Sequence, residues 1–202
     1  MRLVKPISEH EMVAHFLKTE INSRRFGKNI LRLLKRDLVH REIIDAPDTK
    51  NRLENHYRRN LLGEFRGYRR NRELFENFPE DVAWYRAIIS KNELALVKYI
   101  NWDYWLQLSG SSRSPRDAVK NIQASIKIYG RSHTDIWKAA QALQHGVNLP
   151  EMILVSKDKH SHLVVLEGHL RLSAYFLAPE FIPDEMNVLV GYSSDLGNWN
   201  SY

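Results

Sequence analysis

The stretch that decides the fold runs from His162 to Ala178 and reads HLVVLEGHLRLSAYFLA. It begins with apolar and β-branched residues, which is the composition of a buried strand. A Glu-Gly pair at 167–168 interrupts that run, and from His169 onward the apolar residues recur at helical spacing. The stretch therefore predicts a strand, a tight turn at Gly168 and then a helix.

The turn at Gly168 is a candidate anion site. The free amides of a helix's first turn point back toward the preceding residues, and a glycine lets the backbone approach a ligand closely. Arg171 offers a bidentate fork for phosphate or carboxylate, and we predict that it contacts an anion. His169 is a candidate proton carrier or phosphate donor, the alternative being a polar residue at a helix start. Glu167 is a candidate base, the alternative being a helix cap.

The run VVLEGHLRLSAY at 164–175 resembles the central motif of the ParB/sulfiredoxin-like fold, in which a strand delivers a Gly-x-x-Arg turn to a helix N-terminus. Members of that superfamily include chromosome-partitioning ParB proteins, sulfiredoxin and a free-serine kinase, whose turns look like GERR, GCHR and GHHR. The resemblance implies that Gly168, His169 and Arg171 hold the phosphates of a nucleotide. It also implies that Arg113 and Arg116 lie in an arginine-bearing segment that reaches the nucleotide, the alternative being solvated linker charges.

Composition narrows the class of protein. The chain has 202 residues, 43% hydrophobic and 27% charged, with a net charge of +6 and no cysteine. The lack of cysteine excludes a disulfide framework, a thiolate metal site and the cysteine chemistry of sulfiredoxin. No apolar run reaches the roughly 18 residues of a membrane span, so no membrane contact is expected. The first ten residues lack the apolar core of a secretory signal, and a cytoplasmic protein is expected.

The predicted fold class is α+β with two domains. Residues 1–108 are predicted to form a basic all-helical domain, with helices near 9–21, 26–38, 50–66, 78–89 and 92–105. The polar run SGSSRSPR at 109–116 marks the predicted boundary. Residues 109–202 are predicted to form a ParB/sulfiredoxin-like mixed-sheet domain of order β-α-β-β-α-β, with the resemblance spanning about 115–192. Besides the opening stretch, this order uses strands at 121–129, 152–156 and 186–192 and a helix at 132–146.

Basic residues concentrate in one segment. Residues 22–72 hold 15 Lys and Arg against 6 Asp and Glu. Such a segment could face nucleic acid or another polyanion, the alternative being a solvated helical surface. In ParB proteins the DNA-binding helices follow the nucleotide domain, whereas here the helices precede it.

Two further groups of residues are candidate sites. Arg131 and His133 lie at a predicted strand-to-helix junction, which is a possible second anion site. His160 and His162 would share one face of an extended strand, but the sequence places no third ligand beside them. No metal site is therefore predicted from protein side chains.

Three functions remain open on the sequence. The favoured one is a nucleotide-dependent enzyme, a Mg-dependent phosphotransferase that uses ATP or CTP and holds its phosphates on the Glu-Gly-His-x-Arg turn. In it, Glu167 or His169 positions or deprotonates the acceptor. The alternatives are a ParB-like DNA-associated protein with a nucleotide switch, contacting nucleic acid through residues 22–72, and a non-catalytic regulator that binds a small anion. The acceptor substrate and the oligomeric state are not specified by the sequence.

Overall fold

The computed structural model describes residues 1–202 and combines nine α-helices with one five-stranded sheet. The helices are α1 (Glu9–Glu20), α2 (Gly27–Arg36), α3 (Glu42–Asp45), α4 (Arg52–Arg66), α5 (Lys91–Leu94), α6 (Asp103–Leu108), α7 (Pro115–Gln123), α8 (Thr134–Gln144) and α9 (His169–Leu177). The strands are β1 (Arg2–Ile7), β2 (Ala83–Ser90), β3 (Met152–Ser156), β4 (Val164–Glu167) and β5 (Glu185–Tyr192). Short 3-10 segments lie at Glu73–Phe75, Pro179–Phe181 and Ser194–Asn198.

The sheet is mixed and has the strand order β1-β2-β5-β3-β4. β2 pairs antiparallel with β5 over its whole length, from Ala83 opposite Tyr192 to Ser90 opposite Glu185. β3 is parallel to β5 and antiparallel to β4. The start of β3 and the end of β4 therefore lie side by side, with Ile153 opposite Glu167.

Helices cover both faces of the sheet, so β3, β4 and most of β5 are buried on each side, whereas the edge strand β1 is largely exposed. Because side chains alternate along a strand, Val188 and Val190 of β5 join one core while Leu189 joins the other. The first core contains residues of α5 to α9, and the second contains residues of α1 to α4. A sheet with both faces covered needs nearly continuous apolar strands, as MILVS in β3 provides.

Local signals placed several elements correctly. The helices predicted at 9–21, 26–38, 50–66 and 132–146 and the strands at 152–156 and 186–192 are confirmed within a few residues. α1 begins with a capping box of Ser8 and Glu11, a pattern readable in the sequence, and α4 ends at Gly67 in the left-handed conformation. The α+β class is likewise confirmed.

The prediction of an all-helical N-terminal half is wrong. β1 and β2 both come from it, and most of the segment predicted as a helix over 78–89 lies in β2. Its apolar residues suit helical spacing, but the full-length pairing with β5 satisfies its backbone as a strand. The helix predicted over 92–105 is also interrupted, since α5 ends at Leu94 and α6 begins at Asp103.

The strand predicted at 121–129 is also wrong. The first part of that segment completes α7, where Ala118, Val119 and Ile122 lie on one buried face at helical spacing. Ile126, which the alternating pattern would bury, is 47% exposed. The order across 115–192 is consequently α-α-β-β-α-β, which differs from the predicted β-α-β-β-α-β in its first element.

The predicted boundary at 109–116 is the loop between α6 and α7 and the first residues of α7. The sheet contains strands from both sides of this boundary, because β2 precedes it in the chain and the paired strand β5 follows it. Both cores also draw residues from each side of the boundary. Residues 1–108 and 109–202 thus share one sheet and both cores.

No helix of the chain combines the length and the apolar character that crossing a lipid bilayer demands.

Candidate anion-binding site

The corner between β4 and α9 has the predicted strand–turn–helix form. Gly168 lies between the two elements with φ of 108°, a left-handed conformation that glycine adopts readily. It precedes the first residue of α9 and no side chain caps the helix. The amide of Leu172 donates to the carbonyl of Gly168 at 2.8 Å, which closes the first turn.

Arg171 faces this corner. Its Nη2 donates to Oε2 of Glu167, the last residue of β4, and both residues are buried. Arg171 is 8% exposed, yet its Nε has no hydrogen-bond partner. Glu167 therefore holds Nη2 of the guanidinium while Nε remains a buried donor without a partner.

The backbone at Gly168 has no room for a side chain. A Cβ there would lie 2.7 Å from Cγ of Met152 and 2.9 Å from Nη2 of Arg171. Contacts below 3.0 Å force a neighbour to move, so glycine lets Arg171 lie directly against the corner. The structure thus places Gly168 and Arg171 together at one corner.

Further arginines surround the corner. Burial lowers the pKa of His169, and the charges of Arg66, Arg171 and Arg25 lower it further. Arg66 is the last residue of α4, and its Nε is buried without a partner. Burial lowers its pKa too, with Arg25 adding to the effect. The guanidinium of Arg66 stacks over Phe26 at 4.4 Å, and that of Arg25 lies over the same ring at 4.7 Å.

Arg131 extends this cluster outward. Desolvation lowers the pKa of Arg25, and the charge of Arg131 lowers it further. Arg131 lies over the ring of Tyr104 at 5.9 Å. Four guanidinium groups thus gather from α4, α9 and two loops, a local excess of positive charge that favours an anion. We call these four residues, Arg25, Arg66, Arg131 and Arg171, the arginine cluster.

His169 packs on aromatic rings. It stacks on Trp105 at 5.0 Å and lies 6.3 Å from the ring of Tyr99. Its Nε2 is buried and has no hydrogen-bond partner. Burial and the nearby arginines lower the pKa of His169 to about 3, so the imidazole is neutral at physiological pH. A neutral ring with this pKa is a weak base, but it can still exchange a hydrogen bond with a ligand.

Glu20, the last residue of α1, also belongs to this site. It is 8% exposed, and no basic side chain lies within ion-pair distance of its carboxyl group. Burial raises the pKa of Glu20 to about 7, and the charge of Glu167 contributes, against Arg66 and Arg171. The site therefore holds a carboxyl group that is partly ionised near neutral pH.

Sequence analysis missed Glu20 and Arg66, although both carry a recognisable signal. Glu20 follows Phe16 by four residues and Leu17 by three, so it falls on the apolar face of its helix. Arg66 follows Leu62 by four residues in the same way. A charge at helical spacing on an otherwise apolar face must be buried or lie at its edge, which marks it as a candidate site residue.

Arg113 lies apart from the corner and donates hydrogen bonds to backbone oxygens. Its Nε donates to the carbonyl of Tyr99 at 2.7 Å and its Nη1 to the backbone oxygen of Tyr202 at 2.9 Å. Those bonds fix the loop before α7 to the C-terminal residues. The predicted nucleotide contact of Arg113 therefore does not fit its placement.

Arg116 also lies away from the corner. It is exposed on α7 and lines a cleft of about 340 Å³, with Lys91, Phe176 and Ile182 among the other lining residues. Phe176 is seven residues along α9 from His169, so this cleft lies about 10 Å from the corner. The structure thus separates Arg116 from Gly168, His169 and Arg171.

The structure places the other predicted candidates, His133, Arg131 and His162, in separate surroundings. Nε2 of His133 lies 2.7 Å from the carbonyl of Ile126, so this buried histidine is engaged by the protein. Arg131, predicted with it as a second anion site, instead joins the arginine cluster. His162 stacks on Tyr202, and no group of three or more His, Asp or Glu residues could hold a metal ion.

Comparison of the chain with models of known protein families, with curated proteins and with solved structures gives no match. The function proposed below accordingly rests on the residues and geometry of this chain.

Proposed function

We propose that the chain binds the phosphate groups of a nucleoside triphosphate at the Gly168 corner and acts as a Mg-dependent phosphotransferase. One observation carries the proposal: buried Arg171 is held against Gly168 by Glu167 and keeps a free buried donor. An arginine fixed in this way is suited to bidentate contact with phosphate.

Charge supports a phosphate-bearing ligand. The arginine cluster supplies four positive charges, while Glu20, Glu73 and Glu167 supply at most three negative ones. Nε of Arg66, Nε of Arg171 and Nε2 of His169 are all buried without partners. A buried donor without a partner costs free energy, and an anion bound among these three atoms would remove that cost.

The backbone supports the same ligand. The first amides of α9 have no helical partner and lie beside Gly168, at the positive end of the helix dipole. The tight fit of Arg171 against Gly168 allows backbone amides and guanidinium to converge on one group. The resemblance of residues 164–175 to the ParB/sulfiredoxin-like turn is in keeping with this assignment.

Roles within the site follow from the contacts. Glu167 positions Arg171, and His169 offers a neutral hydrogen-bonding nitrogen. Magnesium enters with the nucleotide and is held largely by phosphate oxygens, because the protein offers no cage of carboxylates and histidines. Arg113 and Arg116 have no role in the proposed site.

Isothermal titration of the full chain with Mg-ATP and Mg-CTP tests the proposal. Wild type is expected to bind at least one of them, and Arg171→Gln is expected to weaken that binding by about 10-fold to 100-fold. Arg116→Gln is the matched control, because it removes an exposed arginine outside the corner. Absence of binding by wild type, or equal losses in both variants, would contradict the proposal.

Measuring the fate of the terminal phosphate with the same proteins distinguishes an enzyme from a regulator. An enzyme transfers or hydrolyses the terminal phosphate of the bound nucleotide, whereas a regulator releases it unchanged. Glu167→Gln is expected to weaken nucleotide binding because Arg171 loses its fixed position, and in an enzyme it should abolish turnover as well.

A nucleic-acid role is the second candidate, favoured by the outer face of α2. Lys28, Arg32 and Lys35 are exposed there and form no ion pair. Other cations of 22–72 are engaged: Arg36 pairs with Glu64, Arg41 with Asp45 and Arg58 with Glu54. This candidate requires DNA affinity that falls steeply between about 50 and 200 mM salt, since phosphate contacts release counterions. A flat response, or no binding at low salt, would reject it.

A further inference from the structure

A cleft lies at the other end of α9 from Gly168. It has a volume of about 340 Å³ and is lined by residues of α5, α7, the last turns of α9 and the segment that follows α9. This volume falls at the lower end of the range typical of small-molecule sites. The cleft therefore suits a small organic ligand better than a protein surface.

The floor of the cleft is apolar and belongs to the first core. Val119 and Ile182 line the cleft and are both buried in that core, and Phe176 packs against it. Side chains in a close-packed core have little freedom to move, so the floor has a fixed shape. A ligand with an apolar body would meet a preformed surface, which reduces the ordering cost of binding.

Two cations and no acidic residue line the cleft. Nζ of Lys91 donates to the carbonyl of Pro179 at 2.8 Å, which holds the ammonium in place and leaves two of its three protons for a ligand. No carboxylate pairs with Arg116, whereas Asp117 beside it in sequence binds Lys120 at 2.8 Å. The lining therefore carries two positive charges and no negative one.

We propose that this cleft binds a small monocarboxylate with an apolar body. The carboxylate contacts Lys91 and Arg116, because a guanidinium fork and an ammonium group both donate to carboxylate oxygens. The apolar body lies on Phe176, Val119 and Ile182, where it removes hydrocarbon surface from water.

The same lining disfavours other classes of ligand. An amino acid would bring an ammonium group to a cleft that offers only positive charge. A sugar phosphate would place hydroxyl groups on an apolar floor that cannot hydrogen-bond them. The proposed site lies apart from the Gly168 corner and does not depend on nucleotide binding there.

Isothermal titration of the full chain with octanoate and with 3-phenylpropanoate tests the ligand class. Wild type should bind at least one of them, and the tighter one identifies the body as alkyl or aryl. Acetate, which lacks the body, should bind at least about 100-fold more weakly, because each buried methylene contributes about 4-fold. Octylammonium has the same chain as octanoate with the opposite charge and should not bind.

Variants of the full chain locate the site. Arg116→Gln should weaken binding of the tighter carboxylate by about 5-fold to 10-fold, since it removes an exposed charged contact. Lys159→Gln is the matched control, because Lys159 is exposed in the loop between β3 and β4, outside the cleft. Methyl resonances of Val119 and Ile182 should shift on titration, whereas that of Ile44 in the second core should not.

Four results would overturn this assignment. They are no binding of either carboxylate by wild type, binding of octylammonium as tight as that of octanoate, equal affinities in Arg116→Gln and Lys159→Gln, and methyl shifts at Ile44 without shifts at Val119 and Ile182. None of these results bears on the Gly168 corner, which the titrations with Mg-ATP and Mg-CTP test separately.

Discussion

The carboxylate of Glu167 accepts a hydrogen bond from Arg171, four residues later, and the pair closes over Gly168. One residue ends a strand and the other lies in the first turn of the next helix. Because both are buried, the guanidinium is fixed before any ligand arrives. Preorganisation of this kind reduces the conformational entropy lost when an anion binds.

Replacing Gly168 by alanine should destabilise the chain and weaken nucleotide binding. The left-handed backbone costs a non-glycine residue about 1 to 2 kcal/mol, and the collision with Met152 and Arg171 should cost about 1 to 3 kcal/mol more. Gly146→Ala is the matched control, since Gly146 also has positive φ but has open space around it. Urea unfolding of both variants measures the difference, and equal losses would show that the predicted collision is absent.

Arg171→Gln should lower the free energy of unfolding by about 3 to 5 kcal/mol, because it leaves a buried carboxylate without its partner. Combining it with Glu167→Gln removes that charge and should recover most of the loss. The double variant should still bind nucleotide weakly, since the guanidinium is missing. A double variant no more stable than Arg171→Gln would refute the pairing as the source of the loss.

Glu20 should make stability depend on pH in the opposite sense to an ordinary acid. Its native pKa is about 7 against 4.5 for the reference carboxyl, so between these values the native state binds more protons than the unfolded chain. That contribution is complete below 4.5 and is lost as the pH rises through 7. Relative to wild type, Glu20→Gln should therefore gain stability from pH 4.5 to 7 and no further above. Urea unfolding across this range measures it, with Glu42→Gln expected to parallel wild type.

His169 should affect the pH dependence of stability in the opposite sense to Glu20, lowering stability in acid. Its native pKa is about 3 against 6.5 for the reference imidazole, so protons bind preferentially to the unfolded chain between these values. The contribution to stability is complete above 6.5 and is lost as the pH falls toward 3. His169→Gln loses the stacking on Trp105 at every pH, but its stability should fall less steeply in acid than that of wild type. Exposed His56→Gln serves as the control, and an unchanged slope in His169→Gln would contradict the prediction.

Neither residues 1–108 nor residues 109–202 should fold alone. The first fragment would keep β2 without β5, and each would expose surface that both cores bury in the full chain. Circular dichroism and amide-proton dispersion of the separate fragments, and of their mixture, measure this. A cooperative thermal transition in either fragment by itself would count against the shared sheet.

The sequence alone determined the features whose causes are local. The apolar, β-branched run before Gly168 and the helical spacing after it place β4 and α9, and the capping box at Ser8 begins α1. These signals act within one or two turns of chain, so neighbouring residues suffice to show them.

Tertiary structure decided the rest. The segment at 83–90 fits a helix by its own pattern and becomes a strand because its hydrogen-bonding partner lies about a hundred residues later, at 185–192. The same packing brings charged residues from separate elements into the interior, burying Glu20, Arg171 and the Nε atom of Arg66. Since burial and neighbouring charges set the pKa of Glu20 and His169, their protonation states exist only once the chain has folded.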